Sequence, residues 1–192
     1  IDVHPAGRFM VTSDDGNRVA VLDLDHPSPA QGGLRTLVRV HQNIVSEARF
    51  RPNSTSDMAS ASLDGTLCMW NHLKRRPVST LDFNFALGGG QRPERDAGGK
   101  MVNPPLVHAM RFVSDGAFVA AATGSGHVML YEWGARSTTA VAQVEAHGGM
   151  ATLMAAGGHR NNVIVTSGVD RWVKLWAVEE GEEAGNGDGD DD

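Results

Sequence analysis

Along this chain apolar residues alternate with polar or small ones in short stretches, and the stretches end at turns rich in Gly, Asp or Asn. Four segments share one plan: an apolar strand, a tight turn, and a second strand of alternating apolar residues that closes on a bulky side chain. They run from Phe9 to Leu22, Met58 to Trp70, Phe118 to Tyr131 and Val163 to Trp176. Their closing residues stand 48, 61 and 45 positions apart, so two of the gaps fit a repeat of roughly 40 to 45 residues and the longest holds an insertion. Between these landmarks, Thr36-Leu-Val-Arg-Val40 and Val45-Ser-Glu-Ala-Arg-Phe50 alternate as strands with unlike faces do. No stretch of comparable length carries an apolar stripe at helical spacing. The pattern predicts an all-β chain of repeated units, each with four short strands.

The insertion, Gly88-Gly-Gly-Gln-Arg-Pro-Glu-Arg-Asp-Ala-Gly-Gly-Lys100, has too few hydrophobic groups to bury, so residues 85–102 are expected to form a mobile surface loop. Residues 179–192 hold eight acidic groups, four glycines and no basic group, and self-repulsion and backbone entropy both oppose their folding. A disordered acidic tail is expected there. With eight of the 23 acidic residues in that tail, 15 remain against 17 basic ones, so the net charge of −6 belongs to the tail and the body is nearly neutral. A neutral body speaks against a nucleic-acid groove and against a polybasic membrane face. Hydrophobic residues make up 41% of the chain, enough for a core, while 23 glycines and 8 prolines interrupt long helices. No apolar run reaches the roughly 18 residues that a membrane-spanning helix needs. Cys68 is the sole cysteine, which rules out an internal disulfide and fits an intracellular setting, cytoplasm or nucleus. The chain opens at Ile1, inside a pattern that recurs later, and is expected to be a fragment.

The second unit carries His41, Phe50-Arg-Pro52 and Ser62-Leu-Asp64-Gly-Thr-Leu-Cys-Met-Trp70, and by these residues the sequence resembles the WD-repeat family. The spacing recurs. His41 to Asp64 and His147 to Asp170 are both 23 positions, and Asp64 to Trp70 and Asp170 to Trp176 are both six. The resemblance implies a partial β-propeller: blades at about 1–40, 41–84, 103–146 and 147–178, four of a ring of seven, with roughly half of the ring missing. It also implies structural tetrads in which His41, Ser62, Asp64 and Trp70 hydrogen-bond in series, as do His147, Asp170 and Trp176. Such a series is chemically sound, because a carboxylate accepts an imidazole N–H, a hydroxyl both donates and accepts, and a buried indole N–H needs an acceptor. In the fourth unit Gly168 takes the place of Ser62, leaving Ser167 or Thr166 to supply a hydroxyl. In the first unit Gly16 and Leu22 occupy the Asp and Trp places, and in the third Ser125 and Tyr131 do, so those two units must rely on apolar packing. Asp14–Leu24, His41–Ile44, Lys74–Pro77 and Asn103-Pro-Pro-Leu-Val-His108 narrow the resemblance to one subgroup of the family.

Other chemistry is weakly represented. Gly99-Lys100 lacks the Ser or Thr of a phosphate loop, and Gly124-Ser-Gly126 lies where each repeat turns. The eight histidines have neither helical pairing nor cysteine neighbours, so no metal site is expected. Neither a cofactor nor a catalytic residue is assigned. His41, Ser62 and Asp64 fall in one repeat, but no Gly-x-Ser-x-Gly elbow accompanies them, and Cys68 alternates with Leu67 and Met69 as a packed thiol. The basic run Lys74-Arg-Arg76 is read as a solvated turn on the outer rim, with contact to an acidic protein or nuclear import as its functional reading.

The expectation is a non-catalytic protein–protein interaction scaffold. Partner contacts are placed at loop residues beside the tetrad turns: Asn43 and Leu63 in the second unit, Asn103 entering the third and Arg171 in the fourth. Two alternatives differ in class. One is a substrate receptor of a cullin-4 ubiquitin ligase that binds the ligase's adaptor, although the Trp-Asp-x-Arg signature is absent: Trp70 precedes Asn71 and Trp176 precedes Ala177. The other is a nucleic-acid-binding propeller, which the near-neutral body disfavours.

Overall fold

The computed structural model describes residues 1–84, 97, 104–134 and 138–179. Both expected mobile regions therefore lie outside the described residues, apart from Ala97 and Glu179. The described chain forms four antiparallel sheets in which strand order follows chain order. Sheet one is β1 (Asp2–Val3), β2 (Phe9–Ser13), β3 (Val19–Asp23) and β4 (Leu34–Thr36). Sheet two is β5 (Val45–Phe50), β6 (Asp57–Ser62), β7 (Thr66–Asn71) and β8 (Pro77–Asp82). Sheet three is β9 (Val107–Val113), β10 (Phe118–Thr123), β11 (His127–Trp133) and β12 (Thr138–Glu145). Sheet four has three strands, β13 (Ala151–Gly157), β14 (Val163–Gly168) and β15 (Val173–Ala177).

The period of two explains how these sheets stack. In β6 and β7, Ala59, Ala61, Leu67 and Met69 face a core shared with sheet three, while Met58, Cys68 and Trp70 face a core shared with sheet one. A strand buried on both faces reads as apolar and small residues throughout, because neither face meets water. A third core joins sheets three and four through Ala109, Ala120, Ala122, Met154 and Ile164. The first strands β1, β5, β9 and β13 neighbour one another in turn, so they line the inside of an arc with the later strands outward. The fold is all-β, an arc of a β-propeller.

Polar ties lock the sheets at these joints. Asp2 accepts the Phe50 N–H at 2.9 Å between sheets one and two. Glu47 of sheet two accepts the Met110 N–H at 2.7 Å and pairs with Arg111 at 2.6 Å in sheet three. Burial resists the charge of Glu47, yet Arg111 and the Met110 N–H hold its carboxyl below the ordinary value. Arg51 donates to the Gly116 and Trp133 carbonyls at 2.7 and 3.1 Å and lies 4.8 Å over the Trp133 ring.

The expected strand Thr36–Val40 forms only at its first residue. Leu37 is buried and donates its N–H to Val19 of sheet one, whereas Val38 donates to Arg75 of sheet two. A segment crossing between two sheets cannot pair along either of them.

Candidate functional site

Each second-to-third strand hairpin turns through a left-handed residue: Asn17, Gly65, Gly126 and Arg171, with φ of 64°, 81°, 85° and 68°. In sheets two and four this turn is pinned by a buried relay. Trp70 donates its indole N–H to Ser60 Oγ at 2.8 Å, and Ser60 Oγ stands 2.7 Å from His41 Nε2. His41 Nδ1 faces Asp64 Oδ2 at 3.3 Å and Thr66 Oγ1 at 2.9 Å. Asp64 then binds the turn itself. It accepts the N–H groups of Gln42 and Thr66 at 2.7 and 2.9 Å and the Thr66 hydroxyl at 2.6 Å. Asn84 donates to the Asp64 carbonyl at 2.7 Å. In sheet four, Trp176 donates to Thr166 Oγ1 at 3.0 Å, which stands 3.0 Å from His147 Nε2, and His147 Nδ1 lies 2.9 Å from Asp170. Asp170 accepts the N–H groups of Trp172 and Gly148 at 3.1 and 3.3 Å.

The hydroxyl of the relay is Ser60, which corrects the assignment to Ser62. Met58 pairs with Trp70 and Ser60 with Cys68, so Ser60 is the diagonal neighbour that the indole reaches. Ser62 lies two residues further along β6, about 7 Å away. Its hydroxyl donates to the Asn43 carbonyl at 3.2 Å and accepts the Asp64 N–H at 3.1 Å. Sheet four repeats the geometry with Thr166 rather than Gly168. In both sheets the hydroxyl follows the histidine by 19 positions and precedes the tryptophan by 10. In sheet three the position 10 before Tyr131 is Ala121, which has no hydroxyl, and Tyr131 instead stacks 5.7 Å from Phe83.

Charge in the second relay is set by the carboxylate. Burial works against a charged His41, but Asp64 at Nδ1 prevails and, with the Cys68 sulfur nearby, pushes the imidazole up to about 9. Burial likewise opposes the charge of Asp64, and His41, Thr66 and the Gln42 N–H hold it well below the usual carboxylate range. Asp170 is lowered against burial by the Trp172 N–H and His147. The order hydroxyl, imidazole, carboxylate is that of a hydrolase triad. Here Ser60 is 0% exposed and His41 3%, and the serine oxygen is occupied by the Trp70 N–H, so a substrate carbonyl cannot reach it.

Residues 33–71 match the family described as WD domain, G-beta repeat, and they end one residue beyond the relay tryptophan Trp70. Over this unit the chain is similar to the WD-repeat family. It is similar to a WD repeat-containing protein 53 homolog from Dictyostelium discoideum, with 24% identity over 132 residues. That alignment takes in 65% of this chain and 35% of the relative, so the chain spans about a third of the length of the curated relative it matches.

Of the residues expected at a partner surface, two come together. Asn43 and Leu63 meet where the Asn43 side chain donates to the Leu63 carbonyl at 3.4 Å, with Asn43 exposed and Leu63 half-buried. Arg171 is exposed on the corresponding turn of sheet four, and Asn103 lies outside the described residues. Sequence reasoning missed Trp172, which follows Arg171 with 67% of its surface exposed, and Val169 beside it at 56%. The signal was an aromatic residue at the place where the second unit has Thr66 at the start of β7.

Proposed function

We propose that this chain is a non-catalytic scaffold that presents pinned turns to a partner protein, with Arg171 and Trp172 as its principal anchors. The observation that carries this reading is the strain at Arg171. The corresponding turns of sheets two and three use Gly65 and Gly126, which adopt a left-handed φ without cost, whereas Arg171 holds φ 68° with its side chain exposed. A non-glycine residue in that region costs about 1 to 2 kcal/mol, and such strain concentrates at functional positions. Asp170 lies 2.9 Å from His147 Nδ1 and accepts the Trp172 N–H at 3.1 Å, so Arg171 and Trp172 project from a turn that is already hydrogen-bonded. Arg and Trp are the residue types most enriched at interface hot spots, and a preorganised turn avoids the ordering cost of association. Asn43 and Leu63 contribute a second, smaller contact on the pinned turn of sheet two.

The test is affinity purification of the tagged full-length protein with quantitative mass spectrometry, repeated with Trp172→Ala and Arg171→Gly. A stoichiometric protein partner recovered by the wild type and lost with Trp172→Ala supports the scaffold. Recovery undiminished by either substitution removes the assignment to this turn. Arg171→Gly is the more diagnostic variant: it is expected to raise the melting temperature by about 2 to 4 °C, by relief of strain, while weakening the partner. A cullin-4 adaptor among the recovered proteins would identify the ligase-receptor form of this function, for which the chain carries no Trp-Asp-x-Arg signature.

A further inference from the structure

The far end of sheet two, opposite the relay turns, gathers cations that have no counter-charge among the described residues. Arg8, Arg18, Arg49, Arg51, Arg111 and Arg160 each lie within ion-pair distance of a carboxylate. Arg39, Lys74, Arg75 and Arg76 meet no carboxylate among the described residues, and all four are exposed. The fold brings them together from two segments. Val38 of the crossover donates its N–H to the Arg75 carbonyl at 2.9 Å, which sets Arg39 beside the β7–β8 turn. That turn is itself fixed: the Lys74 N–H donates to the Asn71 carbonyl at 2.9 Å, the Leu73 N–H to the Asn71 side chain at 3.1 Å, and Asn71 to Ser56 at 2.7 Å.

Lys74 also stands at the rim of a cleft of about 170 Å³ between sheets two and three, lined by Met69, Val78, Trp133, Arg51 and Asp57 among others. Its acidic member, Asp57, is paired with Arg51 at 3.7 Å. The apolar wall of Met69, Val78 and Trp133 gives room for one aliphatic side chain. Exposed Leu73 and Val38, at 63% and 42%, add apolar surface among the charges.

We propose that this patch is a docking surface for an acidic peptide segment of a partner protein, with one aliphatic residue seated in the cleft beside Lys74 and its flanking carboxylates on Lys74, Arg75, Arg76 and Arg39. Unpaired cations held close together repel one another, and an acidic ligand removes that repulsion while gaining charge-assisted hydrogen bonds. A single-stranded nucleic acid fits less well, because such sites stack bases on open aromatic faces. The aromatic ring here, Trp133, is already covered by the Arg51 guanidinium. This surface is independent of Arg171 and Trp172, so either can fail without the other.

The experiment is fluorescence anisotropy on the full chain with a labelled peptide, Asp-Glu-Glu-Leu-Asp-Glu-Asp, and with an oligothymidylate of equal charge as competitor. The peptide is expected to bind, and Lys74→Glu with Arg76→Glu is expected to weaken it by about tenfold or more. Val78→Asp, which places a carboxylate in the cleft at an exposed site, should weaken it several-fold, while Arg18→Glu on the exposed β2–β3 turn should leave it unchanged. Matched melting curves establish that the variants fold, and Lys74→Gln with Arg76→Gln gives the same reading if charge reversal disturbs the turn. No binding by the wild type, equal loss with Arg18→Glu, or tighter binding of the oligothymidylate would each overturn the proposal.

Discussion

Ser60 and Ser62 are both fully buried in the same strand, yet they do unequal work. Ser60→Ala leaves the Trp70 N–H without an acceptor and His41 Nε2 without a partner, and each buried group so stranded costs about 1 to 3 kcal/mol. Ser62→Ala removes two bonds at the edge of the turn, a loss of about 0.5 to 1.5 kcal/mol. Chemical denaturation of the two variants is expected to rank Ser60→Ala as the less stable, and equal stability would show that the relay is not the main staple of sheet two. The identity of the relay hydroxyl was partly legible. Ser60 and Thr166 precede their tryptophans by the same 10 positions, a coincidence visible on aligning the two units at Trp70 and Trp176. Ser62 competes with it in the sequence, a serine next to the Asp turn whose side chain lies on the same face but one pleat too far along.

Between elements, the joint of sheets one and two is where titration should appear. His72 is fully buried against Phe9 and Phe50, with ring centroids at 4.6 and 5.7 Å. Its Nδ1 accepts from Arg35 at 3.3 Å and its Nε2–H donates to the Thr55 carbonyl at 3.3 Å, while His4 meets Phe50 edge to face with ring centroids 5.1 Å apart. Burial lowers the His72 pKa, the Thr55 carbonyl opposes it, and Arg35 and His4 add to the lowering against Asp57. His108 is half-buried, its Nε2 enclosed without a hydrogen-bond partner among the described residues, and burial lowers it as well. A histidine lowered from 6.5 contributes stability that is present above that value and lost as pH falls from 6.5 toward the folded pKa. His41, raised to about 9, does the reverse: its contribution is full below 6.5 and is lost as pH rises through about 9. The melting temperature should therefore peak near pH 6.5, with His72→Gln flattening the acid side and Asp64→Asn the alkaline side. A monotonic profile between about pH 5 and pH 9 would contradict these assignments.

At the scale of the whole molecule, sheet four presents a face that no other described element covers. Leu153, Val173 and Leu175 are 67%, 62% and 71% exposed, and they lie in adjoining rows with Ala155 and Val165 through the pairings of β13, β14 and β15. An apolar sheet face of this kind, beside an edge strand, drives association. The 192-residue chain is expected to self-associate on light scattering, and Val173→Lys with Leu175→Lys to shift it toward monomer without loss of β-sheet circular dichroism. Persistence of the larger species in that variant would place the contact elsewhere. The strands, their faces and the two relay histidines followed from the sequence, because a period of two and a fixed His-to-Asp-to-Trp spacing are local properties of the chain. The sequence also held the four cations of the far end, but as a run of three and an isolated Arg39. Only tertiary structure decided that Val38 and Arg75 meet, that Glu47 joins sheets two and three, and that Arg171 is strained where Gly65 is relaxed. Each of these depends on which strands lie side by side and on where a turn is held. Those outcomes are set by packing between residues far apart in the chain, which no local pattern encodes.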